Sequence, residues 1–296
     1  MRVAVIDVGS NTARLLVAAP SPVGLTAVRQ ERAYLALGAE ILRRGSLTER
    51  KLDEVARTAR RYARLARKLG AERVEVIVTA PARQAKNGGA LVEALVRATG
   101  ATVRALSAEE EGMLAYRGAV EGLTSLPEIL AVCDVGGGST EVAIGRPPGL
   151  PHWNRSVDLG SLRLTAAILK SDPPDRREIR AARAHADGCL AELEPPEAPL
   201  AALVVGGSAR GLAKLVGPSL GEEALAAALR LSTARRSAKL AKAYGMDDER
   251  ARVLPAGAII LQALTRRLGV PLELAQGGLR EGAALALLEE RTLAAV

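Results

Sequence analysis

Apolar and polar positions follow two different periods along this chain, and the switches between them mark out its elements. Arg2 to Ile6 is a short run of β type, Asp7-Val8-Gly9-Ser10-Asn11 interrupts it with turn chemistry, and Ala13 to Ala19 resumes it. Such a pattern predicts a β-hairpin. Leu52, Val55, Ala59, Tyr62, Leu65 and Leu69 then recur at helical spacing, which predicts a long amphipathic helix. Val74 to Thr79, Thr102 to Leu106, Ile129 to Cys133 and Leu200 to Val205 read as buried strands. Helices are expected near 89–99, 107–122 and 174–193. After Gly206 the pattern is helical to the end, apart from a short strand at Leu272 to Gln276. Strand and helix alternating in this way imply parallel pairing with helices covering the sheet, an α/β architecture.

The chain also repeats itself. AVIDVG at Ala4 to Gly9 returns as AVCDVG at Ala131 to Gly136, with Asp7 and Asp134 in equivalent places. A repeat of domain length predicts two similar halves, each opening with a hairpin, and a cleft between them. The 296 residues suit two domains of ordinary size. The expected division is 1–123 and 124–281.

Both repeats end a strand in Asp-x-Gly and turn through small residues. Gly9, Ser10 and Asn11 form the first turn; Gly136, Gly137, Gly138, Ser139 and Thr140 form the second. A tight turn of this kind exposes successive backbone N–H groups in a concave nest that binds anions, and Ser139 and Thr140 add hydroxyl donors. One glycine turn would read as an ordinary hairpin; two matched copies favour a pair of phosphate sites. Neither copy continues into Gly-Lys-Ser/Thr and a helix, so a Walker loop is excluded. Asp7, Asp134 and Glu141 would stand beside the phosphates and repel them unless a cation intervened. Mg2+, which sits between one or two carboxylates and substrate phosphates, meets that need.

Charge sharpens the choice of partner. The formal net charge is +8, mostly from arginine, whose planar fork suits phosphate oxygens. One Trp, four Tyr and no Phe leave few platforms for stacking bases, so no stable nucleic-acid partner is expected. Arg57, Arg60, Arg61, Arg64, Arg67 and Lys68 form the second face of the long helix. That face reads first as a solvated surface, and second as a track for an anionic polymer. No apolar run reaches the length of a membrane span, and Asp7, Asn11 and Arg14 interrupt the N-terminal stretch where a signal peptide would be unbroken. With only Cys133 and Cys189, no disulfide framework or cysteine-rich zinc site is available, and a cytoplasmic location is expected.

General bases are sought in Ser107-Ala108-Glu109-Glu110-Glu111, which opens a helix just before the second half. Ser107 with Glu110 three residues on is a capping box, so Glu110 has a structural task. Glu109 and Glu111 lie about 200° apart around a helix and cannot both face one site. Their residue types alone do not rank them. His152 and His185 read as solvated, and Ser208 in Gly206-Gly207-Ser208 lacks the partners of a hydrolase triad. Gly207 and Ser208 read instead as a third glycine turn contacting substrate, or as close packing of a helix.

Several segments together resemble the exopolyphosphatase and guanosine pentaphosphate phosphatase family, within the actin-like superfamily. They are IDVGSNTARLLV, TAPARQA, LSAEEEGMLAYRGAV, DVGGGSTEVAIG, DLGSLRLT, VVGGSARGLAKL, LPAGAIILQALTRRLGV and GGLREG. The resemblance spans nearly the whole chain and is to the short, two-domain form. It implies two actin-like ATPase domains of ribonuclease H-like type with an interdomain cleft, and a final helix over 282–296 packing back on the first domain. The family's catalytic glutamate, the second of a Glu-Glu pair in Ser-Gly-x-Glu-Glu-Ala, falls on Glu111, although Ala108 and Gly112 depart from that pattern. The resemblance also assigns the two Asp-Gly turns to phosphate and magnesium, suggests Arg83 and Arg14 as substrate contacts, and allows a homodimer.

The expected activity is therefore Mg2+-dependent release of terminal phosphate from inorganic polyphosphate, with Glu111 positioning the water. The nearest rival is hydrolysis of pppGpp to ppGpp, which the scarcity of aromatics disfavours. An ATP-dependent kinase of the same superfamily would need an acceptor site and a catalytic Asp in the first half. A non-catalytic nucleotide-binding scaffold would tolerate loss of Glu111.

Overall fold

The computed structural model describes residues 1–22 and 24–294, with the backbone path alone for 291–294. Val23, and residues 295 and 296 of the expected final helix, lie outside the described residues. The chain runs through β1 (Val3–Val8), β2 (Thr12–Ser21), β3 (Gly24–Tyr34), α1 (Leu37–Arg44), α2 (Glu49–Lys68), β4 (Arg73–Val78), α3 (Ala80–Gln84), α4 (Gly88–Thr99), β5 (Thr102–Ala105) and α5 (Ala108–Val120). There follow β6 (Leu130–Val135), β7 (Thr140–Gly145), β8 (Pro151–Val157), α6 (Ser161–Ala167), α7 (Arg176–Leu190), β9 (Ala201–Val205), α8 (Gly207–Val216), β10 (Ser219–Leu220) and α9 (Glu222–Thr233). The last elements are α10 (Ser237–Tyr244), α11 (Asp248–Arg252), α12 (Leu254–Leu268), β11 (Leu272–Leu274) and α13 (Leu279–Ala294). Two compact units result. Residues 1–122 and the returning segment from Gly277 make the first, and residues 123–276 the second.

The two sheets share one plan. In the first unit the order is β3-β2-β1-β4-β5, with β1 antiparallel to β2 and parallel to β4. In the second it is β10-β11-β9-β6-β7-β8, with β6 antiparallel to β7 and parallel to β9. β6, β7, β8, β9 and β11 thus repeat the roles of β1 to β5, and β10 is an added edge. This is the duplicated actin-like α/β fold. β1 and β6 are buried on both faces, which is why each reads as a continuous apolar run and not as an alternation.

In the first unit Ala4, Ile6 and Val8 turn one face of β1 toward Val55, Ala59 and Tyr62 of α2. Thr48 caps α2, its hydroxyl accepting from the Lys51 N–H, and the apolar stripe read from the sequence is the buried one. The opposite side of the unit carries α5 and α13, which pack on each other, with α13 also against β1. Glycines make that seam possible. A Cβ on Gly118 would lie 2.0 Å from the Gly278 carbonyl oxygen, and one on Gly282 only 1.9 Å from that of Leu114. Arg73 on β4 ties α13 down further, donating to the Leu287 carbonyl and the Glu290 carboxylate, each at 2.8 Å.

Three elements depart from the sequence reading. β3 is an edge strand, largely exposed, and shows no apolar alternation to announce it. α1 is only eight residues long and enters through Ala36 in the left-handed region (φ 51°) with no side-chain cap. β8 begins at Pro151 and carries His152, which is exposed as expected, with its Nε2 3.0 Å from Glu197 Oε1. A proline at the first residue of an edge strand sacrifices no ladder hydrogen bond, so Pro151 can open the strand.

Candidate functional site

The first turn is fixed by its carbonyls. Gly9 N–H closes the hairpin onto the Thr12 carbonyl at 3.0 Å. The Ser10 carbonyl accepts from Gly38 N–H at 2.7 Å, and the Asn11 carbonyl from Leu35 and Ala36. Because a trans peptide points its C=O and its N–H in opposite directions, this anchoring turns the N–H groups of Asn11 and Thr12 away from the start of α1. Ser10 is buried, and Thr79 Oγ1 stands 3.7 Å from where a Gly9 Cβ would be. Asp7 lies directly opposite Arg14 in the hairpin register, so the two side chains leave the sheet on the same face.

The second turn repeats the first at an offset of 127 residues, Asp7 to Asp134. Gly136 N–H closes onto the Ser139 carbonyl, again at 3.0 Å. Gly136 O accepts from Ser161 N–H, Gly137 O from Arg163 N–H, and Gly138 O from Arg163 Nε at 2.9 Å. By the same peptide geometry the N–H groups of Gly137, Gly138 and Ser139 face away from α6, three donors on one side of a short loop. Gly160, before α6, permits this docking; a Cβ there would lie 2.3 Å from the Gly137 carbonyl oxygen.

Here the duplication has diverged where it matters chemically. Asp134 pairs in register with Glu141, at the place Arg14 holds opposite Asp7. Glu141 is 1% exposed, with Oε1 accepting from Ser156 Oγ at 2.8 Å. Two facing carboxylates, one of them buried, form an all-oxygen donor pair that suits a hard divalent cation. Among the described residues no cluster of three or more His, Cys, Asp or Glu side chains is poised for a metal. An ion at Asp134 and Glu141 would draw its other ligands from water and phosphate, which is the habit of Mg2+. Asp7, whose register partner is Arg14, has no second carboxylate opposite it in the hairpin.

Two hydroxyls expected to meet phosphate are committed elsewhere. Thr140 is fully buried and donates to the Leu159 carbonyl at 2.5 Å. Ser208, 1% exposed, donates to Ser161 Oγ at 2.9 Å, and Ser161 Oγ in turn to Gly136 O at 3.2 Å. Both side chains brace the glycine turn from behind. Gly207 instead meets a residue that the sequence reading missed. A Cβ there would be 2.2 Å from Arg250 Nη2, so the guanidinium lies flat on the start of α8. Arg250 comes from α11, a short polar helix 43 positions downstream of Gly207, and no local pattern marks it. Arg163 was likewise passed over, although it lies inside the quoted DLGSLRLT segment.

The three glutamates of α5 separate cleanly. Glu109 is exposed. Glu110 completes the capping box with Ser107, and Arg104 Nη2 holds its other oxygen at 2.7 Å. The Ser107 backbone N–H, with Arg104, keeps the Glu110 carboxyl below its ordinary pKa. Glu111 is 7% exposed, with Oε2 2.9 Å from Arg83 Nη1. The same Arg83 nitrogen donates to the Leu106 carbonyl at 2.9 Å, which fixes the guanidinium beside the carboxylate. Arg83 and Glu111 are thus brought together in the first unit, the pair that the resemblance singled out.

The chain is 29% identical to exopolyphosphatase 1 of Mycobacterium tuberculosis, over 98% of this chain and 89% of the relative. With exopolyphosphatase 2 of the same organism it shares 34% identity over 62% of this chain and 59% of that protein. The crystal structure of the Aquifex aeolicus Ppx/GppA family member matches at 26% identity and TM-score 0.82, covering 98% of both chains. An exopolyphosphatase from Cytophaga hutchinsonii, at 20% identity, shares the fold with TM-score 0.88 and 98% coverage of both chains. The sequence model of the Ppx/GppA phosphatase family matches residues 16–291. From β2 to the last described side chains, then, this chain belongs to the Ppx/GppA phosphatase family.

Proposed function

We propose that the protein is an exopolyphosphatase that releases terminal phosphate from inorganic polyphosphate with the help of Mg2+. The observation that carries this reading is Glu111, a buried carboxylate at the N-terminal turn of α5 held by Arg83. A carboxylate so placed can accept the proton of an attacking water, while the fixed guanidinium offers charge to the phosphoryl oxygens as the anhydride bond breaks. The N–H groups of the two glycine turns bind phosphate oxygens without basic side chains, and Arg14 and Arg250 add guanidinium contacts. Mg2+ held by Asp134 and Glu141 would supply charge neutralisation to the phosphate chain. The relatives named exopolyphosphatase support polyphosphate as substrate. So does the scarcity of aromatic side chains: Tyr62 and Tyr116 are buried in the core, and Arg32 and Arg155 lie over the Tyr34 and Trp153 rings. We place the activity in the cytoplasm, in keeping with two free cysteines; among the described residues no helix is long and apolar enough to cross a membrane.

The test is phosphate release from long polyphosphate, tripolyphosphate, pppGpp and ATP, with and without Mg2+, by native protein and Glu111→Ala. Native turnover should be greatest on polyphosphate, and Glu111→Ala should lower kcat by about 10²-fold or more. Greater turnover of pppGpp would transfer the assignment to that substrate. Native rates in Glu111→Ala would remove Glu111 from the chemistry.

A further inference from the structure

α2 carries more positive charge than a solvated face needs, and carries it in one direction. Its first two turns mix signs: Glu49, Arg50, Lys51, Asp53 and Glu54, with Lys51 Nζ 2.7 Å from Glu54 Oε2. Beyond Glu54 the helix has no acid, and Arg57, Arg61, Arg64 and Lys68 all lie in one exposed sector. Arg50, Arg57 and Arg64 follow at intervals of seven, which keeps them nearly in line along the helix. Among the described residues none of these cations has a carboxylate within 4.0 Å.

The row is stiffened from its flank. Arg60 Nε donates to the Ala98 carbonyl at 3.3 Å and Arg67 Nη2 to that of Thr99 at 2.8 Å, so α2 clasps the end of α4 and its surface is pre-formed. It also has an origin. Arg50 and Lys51 share a depression of about 350 Å³ with Arg43 of α1 and with Ala36, whose N–H bonds the Asn11 carbonyl of the first glycine turn. Glu40, the acid of this depression, is 8% exposed and accepts from Thr48 N–H at 2.8 Å. A path of guanidinium groups therefore begins against the first phosphate turn and runs down α2 toward Lys68.

We propose that this row is a track for the distal part of a long polyphosphate chain, so that the protein binds long chains more tightly than short ones. The inference rests on the polyphosphate reading given above. Polyphosphate is favoured over a single-stranded nucleic acid because the one aromatic side chain of α2, Tyr62, is 1% exposed and offers no ring for a base.

Arg57→Gln/Arg64→Gln/Lys68→Gln tests it, since these side chains are exposed and, among the described residues, make no side-chain hydrogen bond or ion pair, and the helix can be checked by circular dichroism. Steady-state kinetics would compare long-chain polyphosphate with tripolyphosphate across a series of salt concentrations. The triple variant should raise KM for the long chain by about ten-fold and leave tripolyphosphate unchanged. The dependence of log KM on log salt should flatten by about two for the long chain. Equal effects on both substrates, or none, would overturn the track. Should the native protein hydrolyse neither substrate, the catalytic reading fails and the track is judged by fluorescence anisotropy of labelled long polyphosphate. Weaker binding by the variant than by native protein supports the track. Binding that is absent, unaffected by the substitutions, or displaced more readily by duplex RNA than by polyphosphate rejects it.

Discussion

Replacing Gly282 by alanine puts a single methyl group into the seam between α5 and α13. That Cβ would stand 1.9 Å from the Leu114 carbonyl oxygen, about 1.5 Å short of ordinary van der Waals contact. The obstacle is helix backbone, which cannot rotate aside, so the two helices must part along their shared face. Overpacking a tight core costs about 1–3 kcal/mol, and an obstruction of this kind belongs at the upper end. Alanine recovers up to about 1 kcal/mol through its better helix propensity, leaving a net loss of roughly 2 kcal/mol. For a protein of this size that is a fall in Tm of roughly 4–8 °C. Because Glu111 stands one turn before Leu114 on the same helix, a shift of about 1 Å in α5 should also lower kcat by up to about 10²-fold. The control is Gly89→Ala on α4, where a Cβ would meet nothing within 4 Å. The same change there should be neutral or raise Tm slightly. Differential scanning calorimetry and phosphate release on both variants decide the matter. If Gly282→Ala melted with the native protein and turned over at the native rate, the seam would not have the tightness described.

Three further outcomes are expected. Asp134→Asn and Glu141→Gln should each raise the Mg2+ concentration for half-maximal activity by roughly ten-fold or more, and a chelator should abolish turnover reversibly in the native protein. Arg163→Ala removes the bond to the Gly138 carbonyl and loosens the second turn, so KM for polyphosphate should rise, with a stability loss of about 1 kcal/mol by thermal melting. The pKa of Glu110 is lowered in the folded state, first by the Ser107 N–H. Its contribution is therefore complete above the ordinary glutamate value of 4.5 and is lost as pH falls through the lower folded value. Glu110→Gln should accordingly melt below the native protein at pH 6, and the gap should narrow as pH falls below 4.5; a gap constant with pH refutes the assignment.

The two glycine turns were legible because the sequence states them twice. The Asp-led turns, the strand that ends in each, and the capping box at Ser107 all rest on short-range rules, in which residues a few positions apart determine the local path of the backbone. What escaped notice depends on distant partners. β3 exists because β2 offers it a ladder, and its own side chains carry no apolar signal. Thr140 and Ser208 look like phosphate donors in a linear reading. Only the approach of Leu159 and Ser161 turns their hydroxyls inward. Arg250 is the extreme case, a guanidinium from an unremarkable polar stretch brought onto Gly207 by the packing of α11 against α8.

The return of the chain to its first unit imposes an order in time. α5 leaves the ribosome long before α13, with about 160 residues (Val120 to Leu279) in between. At roughly 5–20 residues per second, that gap lasts on the order of 8–30 s. During it Leu114 and Gly118, which the Gly278–Gly282 stretch meets in the finished fold, have no α13 against them, while the strands of the second sheet are synthesised one after another. The unit bearing Glu111 begins first and is completed last. α5, the helix that carries Glu111, waits for its cover, and a substitution at Gly278 or Gly282 in the GGLREG segment is expected to act on the folding of the new chain as well as on its rate.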